Sequence, residues 1–556
     1  MKKLFSSVCG RVVVAGALLL LAAASTARAQ APAWQIAVAL NGDNGHVNAM
    51  TTDAAGNVLV VGTFGGTLTV GATTLVSAGL RDGFVAKWSP TTGGFVWAQR
   101  FGNIGADGFD AVAVSGSNVY VTGTFTGNVS FGGAGLTSAG GTDAFVLKLV
   151  DGGSNAAVAW AQRVGGTSDD SGRALAVSGT TVYVGGSFSS APMSLGTSGL
   201  SLSNVGGGNG WVARLTDAGV TSTFNWGLRL GGVGDDRVYA LVLSGTALYV
   251  GGFFTLSMQI LSTALTSVGS FDGFVVKLND VGALPSVVWA QQVAGVTEDY
   301  VYALAVSGTA VVAAGTFTGT VGFGSVLVAT NGLFDGFVAK YTDAGATASL
   351  AWAKGLGGPA NDAVNAVLLN GSSAYVTGYF QGTAAFGPNT LTASGTADAF
   401  VARVADNTTS GAVVWGAAGG SSAFDDGTGI AIGTTRLYIA GSTTPPATFG
   451  SIALPIVTAG GQQSGFLAAL APTALATAPG AELAAVAPFP NPVAGGGTVR
   501  VPGAPAGTAL VLLDALGRTV AKGTGAALPL AGVAPGLYAL RVGDGRGAVT
   551  SRLVVE

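Results

Sequence analysis

DGFVAKWSPTTGGFVWAQRFGNIGADGFDAVAVSGSNVYVTGTF, residues 82–125, holds four short runs in which apolar side chains alternate with small or polar ones: DGFVAKW from Asp82, VWAQR from Val96, FDAVAVS from Phe109 and VYVTGTF from Val119. Alternation with a period of two marks a strand, and the Pro, Gly, Asn and Ser between the runs form turns. The tryptophan in this stretch recurs. Trp34, Trp97, Trp160, Trp226, Trp289, Trp352 and Trp415 are separated by 63, 63, 66, 63, 63 and 63 residues. A repeat of that length, carrying several strand-like runs and too little helical pattern for a solenoid of helix pairs, points to radially stacked four-stranded blades. The expected fold is all-β, a seven-bladed β-propeller over residues 30–472.

The copies can be compared with one another. Positions that recur serve packing and turns, and positions that differ are where recognition can reside. Ten residues after the tryptophan stands a carboxylate, Asp107, Asp170, Asp236, Asp299, Asp362 or Asp425, with Asn44 beside Asp43 in the first copy. A small-residue strand follows, such as GRALAVS from Gly172 or HVNAMTT from His46, as the crowded axis of a propeller requires. The next strand always contains a glycine (Gly62, Gly123, Gly186, Gly252, Gly315, Gly378, Gly441), which implies close backbone approach or a bulge. The third strand usually opens on an Asp, read as a turn former, and alternates an apolar face with one Lys or Arg. The fourth carries the tryptophan, whose burial removes about 150–250 Å² from water. Packing accounts for an indole shared by all copies; a row of surface aromatics for sugar stacking is the alternative.

The order of strands is shifted along the chain. Trp34 to Leu40 precedes the first blade, and the last third-type strand, ending at Leu470, has no tryptophan strand after it. The economical arrangement pairs the N-terminal strand with the final blade as its outer strand, which closes the ring without an open seam.

Lys2, Lys3 and Arg11, the apolar run Val12 to Ala24 and Ala27-Arg28-Ala29 read as a secretory leader, residues 1–29, with cleavage before Gln30. The run is too short for a membrane anchor, and no stable transmembrane segment is expected elsewhere. Removing its four basic residues takes the net charge from -3 to -7, with no cationic cluster, so nucleic acid is not an expected partner. The only cysteine, Cys9, leaves with the leader, and packing alone must hold the fold, here expected as a monomer.

Chemistry is sparse. His46 is the only histidine, so a nucleophilic triad would have to be built on it and a histidine-rich zinc site is excluded. The doublets Asp169-Asp170, Asp235-Asp236 and Asp425-Asp426, with Glu298-Asp299, could divide acid and base roles, but they recur at one place in the repeat, which favours a turn role. A ring of the carboxylates Asp107, Asp170, Asp236, Asp299, Asp362 and Asp425 could bind Ca2+ through oxygen. The position thirteen residues after the tryptophan differs between copies: Asp110, Arg173, Tyr239, Tyr302, Asn365 and Thr428. In a propeller these residues surround one mouth of the central channel, and a mixed polar and aromatic rim suits recognition.

After Ala471 an Ala, Pro and Thr linker (473–487) leads to a last unit, 488–556, whose short strands and Pro, Gly and Asp turns describe a small β-sandwich. Two resemblances add to this reading. From Trp34 to Leu470 the W-x-x-x-x-G-G, V-Y-V-x-G-x-F and D-A-F-V-x-K patterns resemble the SBBP family of β-propeller repeats, which implies the propeller fold and an exported life but no reaction. The tail resembles the type A C-terminal sorting domain of type IX secretion, through Pro490-Asn491-Pro492, the run from Asp514 to Gly517 and Arg518, and Pro535-Gly536-Leu537-Tyr538. It departs from that family at Arg552 and Glu556, where a lysine-rich finish is usual. The resemblance implies the type IX secretion machinery as partner and a secreted or outer-surface location in a Gram-negative bacterium. The expected function is a non-enzymatic binding or adhesion module for an extracellular glycan or protein. A carboxylate-dependent hydrolase or lyase of extracellular polysaccharide, or a passive surface-layer protein, are the alternatives.

Overall fold

The computed structural model describes residues 31–281, 283–455, 463–471, 492–501, 508–514, 518–542 and 549–556. The expected leader, the 473–487 linker and the tail positions Pro490, Asn491 and Gly517 lie outside them. Among the described residues every regular element is a strand, and no helix is long and apolar enough to cross a membrane.

The repeat following Trp97 folds as an antiparallel meander, Gly108–Ser115, Asn118–Phe131, Ala134–Asp151 and Ala156–Gly165, each strand pairing with the next. The next repeat does the same with Asp170–Ser178, Thr181–Phe188, Asn209–Asp217 and Ser222–Leu230. The order holds again from Asp236, from Asp299 and from Asp362. Between the second and third strands a small hairpin projects, as in Ser257–Ile260 against Thr263–Thr266.

The first strand of the chain, Trp34–Thr52, serves two sheets. Its later part, from Asn41, pairs with Val58–Val70. Its earlier half pairs with Ser464–Leu470, Trp34 opposite Leu470 and Leu40 opposite Gly465. Because Ser464–Leu470 also pairs with Leu437–Thr443, and that strand with Asp426–Ile432, the last repeat takes its outer strand from the start of the chain, as its missing tryptophan strand predicts. The first strands of the repeats also touch in sequence. The later half of Trp34–Thr52 meets Gly108–Ser115, which meets Asp170–Ser178, then Asp236–Ser244, Asp299–Ser307, Asp362–Asn370 and Asp426–Ile432, and the last returns to Trp34–Thr52.

The core lies between neighbouring sheets. One cluster joins Tyr120, Val146 and Trp160 to Val182, Trp211 and Leu215 of the following repeat, and another joins Met50 and Val58 to Tyr438 and Leu467. Six of the repeating tryptophans are 2–6% exposed and Trp34 is half-buried, so these indoles pack rather than form a surface row.

Packing is not their whole role. Trp160 Nε1 donates to Asp217 Oδ1 at 2.9 Å, while Lys148 Nζ and Tyr120 OH both donate to Asp217 Oδ2 at 2.6 Å. Asp217 ends the third strand of the following repeat, so one carboxylate ties two sheets together. The arrangement recurs with Trp97 and Lys87 on Asp151, Trp226 and Arg214 on Asp280, Trp289 and Lys277 on Asp343, and Trp352 and Lys340 on Asp406. In the sequence the matching position is Pro90 in the first repeat and, outside the described residues, Pro472 in the last. Trp34 Nε1 instead donates to the Ala418 carbonyl at 3.2 Å.

The tail has a core of its own, with Val493, Val499, Leu510, Leu512, Leu540 and Leu553 at its centre. Around it stand a four-stranded sheet of Thr519–Thr524, Ala509–Leu513, Gly536–Val542 and Val549–Val555 and a pair, Thr498–Arg500 with Ala527–Pro529. Of the motif residues, Arg518 pairs with Asp514, Tyr538 OH donates to the Ala534 carbonyl at 2.7 Å, and Pro492 and Gly536 are exposed.

Candidate functional site

From His46 onward in the first repeat, and throughout in the others, the first and second strands pair in register except at one slip. Phe109 faces Gly123 and Ala111 faces Thr122, leaving Asp110 between them with no partner. The same slip isolates Asn48, Arg173, Tyr239, Tyr302, Asn365 and Thr428. An extra residue in one strand bends it and re-aims that residue's side chain. The glycine opposite makes the bend feasible. A Cβ on Gly123 would lie 2.0 Å from the Gly108 carbonyl oxygen, and one on Gly62, Gly186, Gly252, Gly315, Gly378 or Gly441 would lie 1.8–1.9 Å from the corresponding oxygen. The recurring glycine and the varying residue are therefore two halves of one device.

All seven bulge residues line one cavity of about 400 Å³, whose walls are otherwise small and aliphatic. Neighbours around it are linked. Asn48 Nδ2 donates to the Phe109 carbonyl at 2.9 Å, Asn365 Nδ2 to the Gly427 carbonyl at 3.1 Å and Thr428 Oγ1 to the Val47 carbonyl at 2.6 Å. Arg173 approaches Asp110 at 3.6 Å, and burial raises the Asp110 pKa against the pull of that guanidinium. Tyr239 and Tyr302 meet edge to face with ring centres 5.4 Å apart, and Tyr302 stacks on Tyr300 at 5.7 Å. The six residues that the sequence comparison set at this position, Asp110, Arg173, Tyr239, Tyr302, Asn365 and Thr428, thus come together. Asn48 was not singled out, because the first copy is offset by one residue. The spacing to the following glycine does not find it either, being 14 residues from Asn48 to Gly62 and 13 in the other copies.

A second compartment of about 310 Å³ shares Asn48, Asp110 and Arg173 with the first and adds His46, Arg81 and Asp107. His46 is half-buried there, and desolvation lowers its pKa although Asp426 pulls the other way.

The six repeating carboxylates sit in six separate turns. Asp107 accepts the Asn103 amide at 2.8 Å and the Thr126 amide at 3.1 Å, closing its own loop and fastening the end of the second strand. Asp362 holds Gly358 and Gln381, and Asp425 holds Ser421 and Thr444, in the same way. Asp170 and Asp236 accept from Gly166 and Gly232. Asp299 has no hydrogen-bond partner on either oxygen, the nearby Gly295 and Thr318 amides falling short of bonding geometry. Among the described residues no three His, Cys, Asp or Glu side chains converge as a metal centre would need.

These buried acids set a pH dependence. Burial pushes Asp299 up to about 8, Asp236 to about 7 and Asp362 to about 6, with Asp272, Asp235 and Asp335 adding to the effect. A carboxyl whose folded pKa lies above its unfolded value of about 4 contributes stability that is full below that value and lost as pH rises through the folded one. Asp217, Asp343 and Asp406 behave oppositely. Burial works against them, but hydrogen bonds led by Lys148, Lys277 and Lys340 hold their pKa values below the ordinary range, so their contribution is lost only as pH falls beneath it. Melting temperature should peak at roughly pH 4–5 and fall steadily to pH 8, and Asp299→Asn should flatten that fall. A melting temperature that climbs from pH 5 to pH 8 would contradict the assignment.

Compared with known proteins, the chain matches no family model and no curated protein.

Proposed function

We propose that the chain is an exported seven-bladed β-propeller that binds carbohydrate in the cavity formed by its bulge residues. The cycle of contacts among the first strands and the double use of Trp34–Thr52 support the propeller. The leader and the tail motifs support export through the type IX machinery to the outer surface of a Gram-negative cell, and the repeat motifs support kinship with SBBP-type propellers. The observation that carries the function is the convergence on one concavity of seven residues that occupy the same bulge yet differ in kind. A residue needed only to make the bulge would be free to be the same in every copy.

Size favours a sugar over a protein. A stable protein partner needs about 800 Å² of surface on each side, whereas a cavity of about 400 Å³ suits a short oligosaccharide. Tyrosine rings offer an apolar face to the C–H side of a pyranose, and the Asn amides and the Asp110–Arg173 pair offer hydrogen bonds to hydroxyls. Tyr302→Ala should weaken oligosaccharide binding by at least about tenfold, read by titration calorimetry on a hit from a glycan array, with circular dichroism confirming the fold. No array signal, or equal affinity in the variant, would remove the reading.

A further inference from the structure

The charge around the second compartment is uneven. Asp110 is matched by Arg173, and both oxygens of Asp107 are taken by the Asn103 and Thr126 amides. Arg81 lines the same space and is exposed; its backbone bonds to Gly105 and Asp107, while its guanidinium has no hydrogen-bond or ion-pair partner among the described residues. The Arg173 side chain is itself 41% exposed and holds Asp110 only loosely, so its remaining N–H donors are open to a ligand. The third basic side chain there, His46, is kept neutral near pH 7 by its burial and can donate or accept without adding charge. Thr63 and Thr124 complete a polar wall.

The two compartments meet at Asn48, Asp110 and Arg173, so one ligand can occupy both. We infer that the carbohydrate is acidic: its sugar ring lies in the tyrosine-lined cavity, and a carboxylate or sulfate on it sits between Arg81 and Arg173. The inference rests on the glycan-binding reading and narrows it. A planar guanidinium matches two oxygens of either anion, and two such groups facing one opening define where the charge must be. The Asn48 amide, at the junction, is placed to orient the ring.

The test uses the full chain against immobilised oligosaccharides in three sets: uronic acid oligomers, the same oligomers as methyl esters, and sulfated galactans beside unsulfated ones. Binding should favour the acids over their esters, or the sulfated over the unsulfated chains, by about tenfold or more. It should weaken as salt is raised. Arg81→Gln, at an exposed side chain, should abolish the preference for the charged member, whereas Tyr302→Ala should weaken both members and keep the preference. The set that shows the preference tells a carboxylate from a sulfate. Equal binding of charged and neutral members, or a preference that survives in Arg81→Gln, overturns the acidic ligand and leaves the glycan reading standing. Absence of binding in every set overturns both.

Discussion

Asp217→Ala should destabilise the chain by about 3–5 kcal/mol, the usual cost of removing one partner from a buried ion pair. Asp217 is 5% exposed and Lys148 3% exposed, so water cannot replace the lost carboxylate. Four donors would lose their acceptor at once: Lys148 Nζ, Tyr120 OH, Trp160 Nε1 and the Gly219 amide. Three of them belong to the preceding repeat, so the damage falls on the joint between two sheets and not within one. Asp217→Asn keeps, on its one amide oxygen, an acceptor for Trp160 and the Gly219 amide while dropping the charge and the oxygen that Lys148 and Tyr120 share, and should lie between the two. Denaturant unfolding of the three chains measures this, and an alanine variant within about 1 kcal/mol of the parent would show that the joint is held by apolar packing alone.

Removing residues 34–40 should have a still larger effect, lowering the melting temperature by more than roughly 10 °C or preventing folding. The segment fills the outer edge of the sheet containing Ser464–Leu470. It also places Trp34 against Phe449 with ring centres 5.2 Å apart and buries Leu40. Without it, Ser464–Leu470 becomes an unpaired edge made of buried residues, open to pairing with other chains. A synthetic peptide spanning residues 31–41 should restore monomeric stability by adding the missing strand in trans. An unchanged melting temperature in the truncated chain would refute closure by this strand.

Much of this was legible before any coordinates. The tryptophan period marked the repeats, strand alternation gave the all-β class, and the missing tryptophan strand after Leu470 predicted where Trp34–Leu40 pairs. The position of Asp110, Arg173, Tyr239, Tyr302 and Asn365 around one opening also followed from comparing copies. Other features depend on register or long-range contact and left no local trace. That these residues are bulges, and that Gly123 and its equivalents exist to admit them, is set by a one-residue slip between two strands. The Asp217 carboxylate was overlooked because its partners lie 57 to 97 residues earlier, and because Pro90 and Pro472 interrupt its recurrence. Arg81 was not singled out, because only the fold brings it to one compartment with Arg173.

Five successive joints are riveted by an aspartate, while the sequence has Pro90 at the matching position of the first repeat and Pro472, outside the described residues, at that of the last. The riveted arc is fastened by charge, whereas the sheet in which the first strand meets the last repeat is fastened by strand pairing.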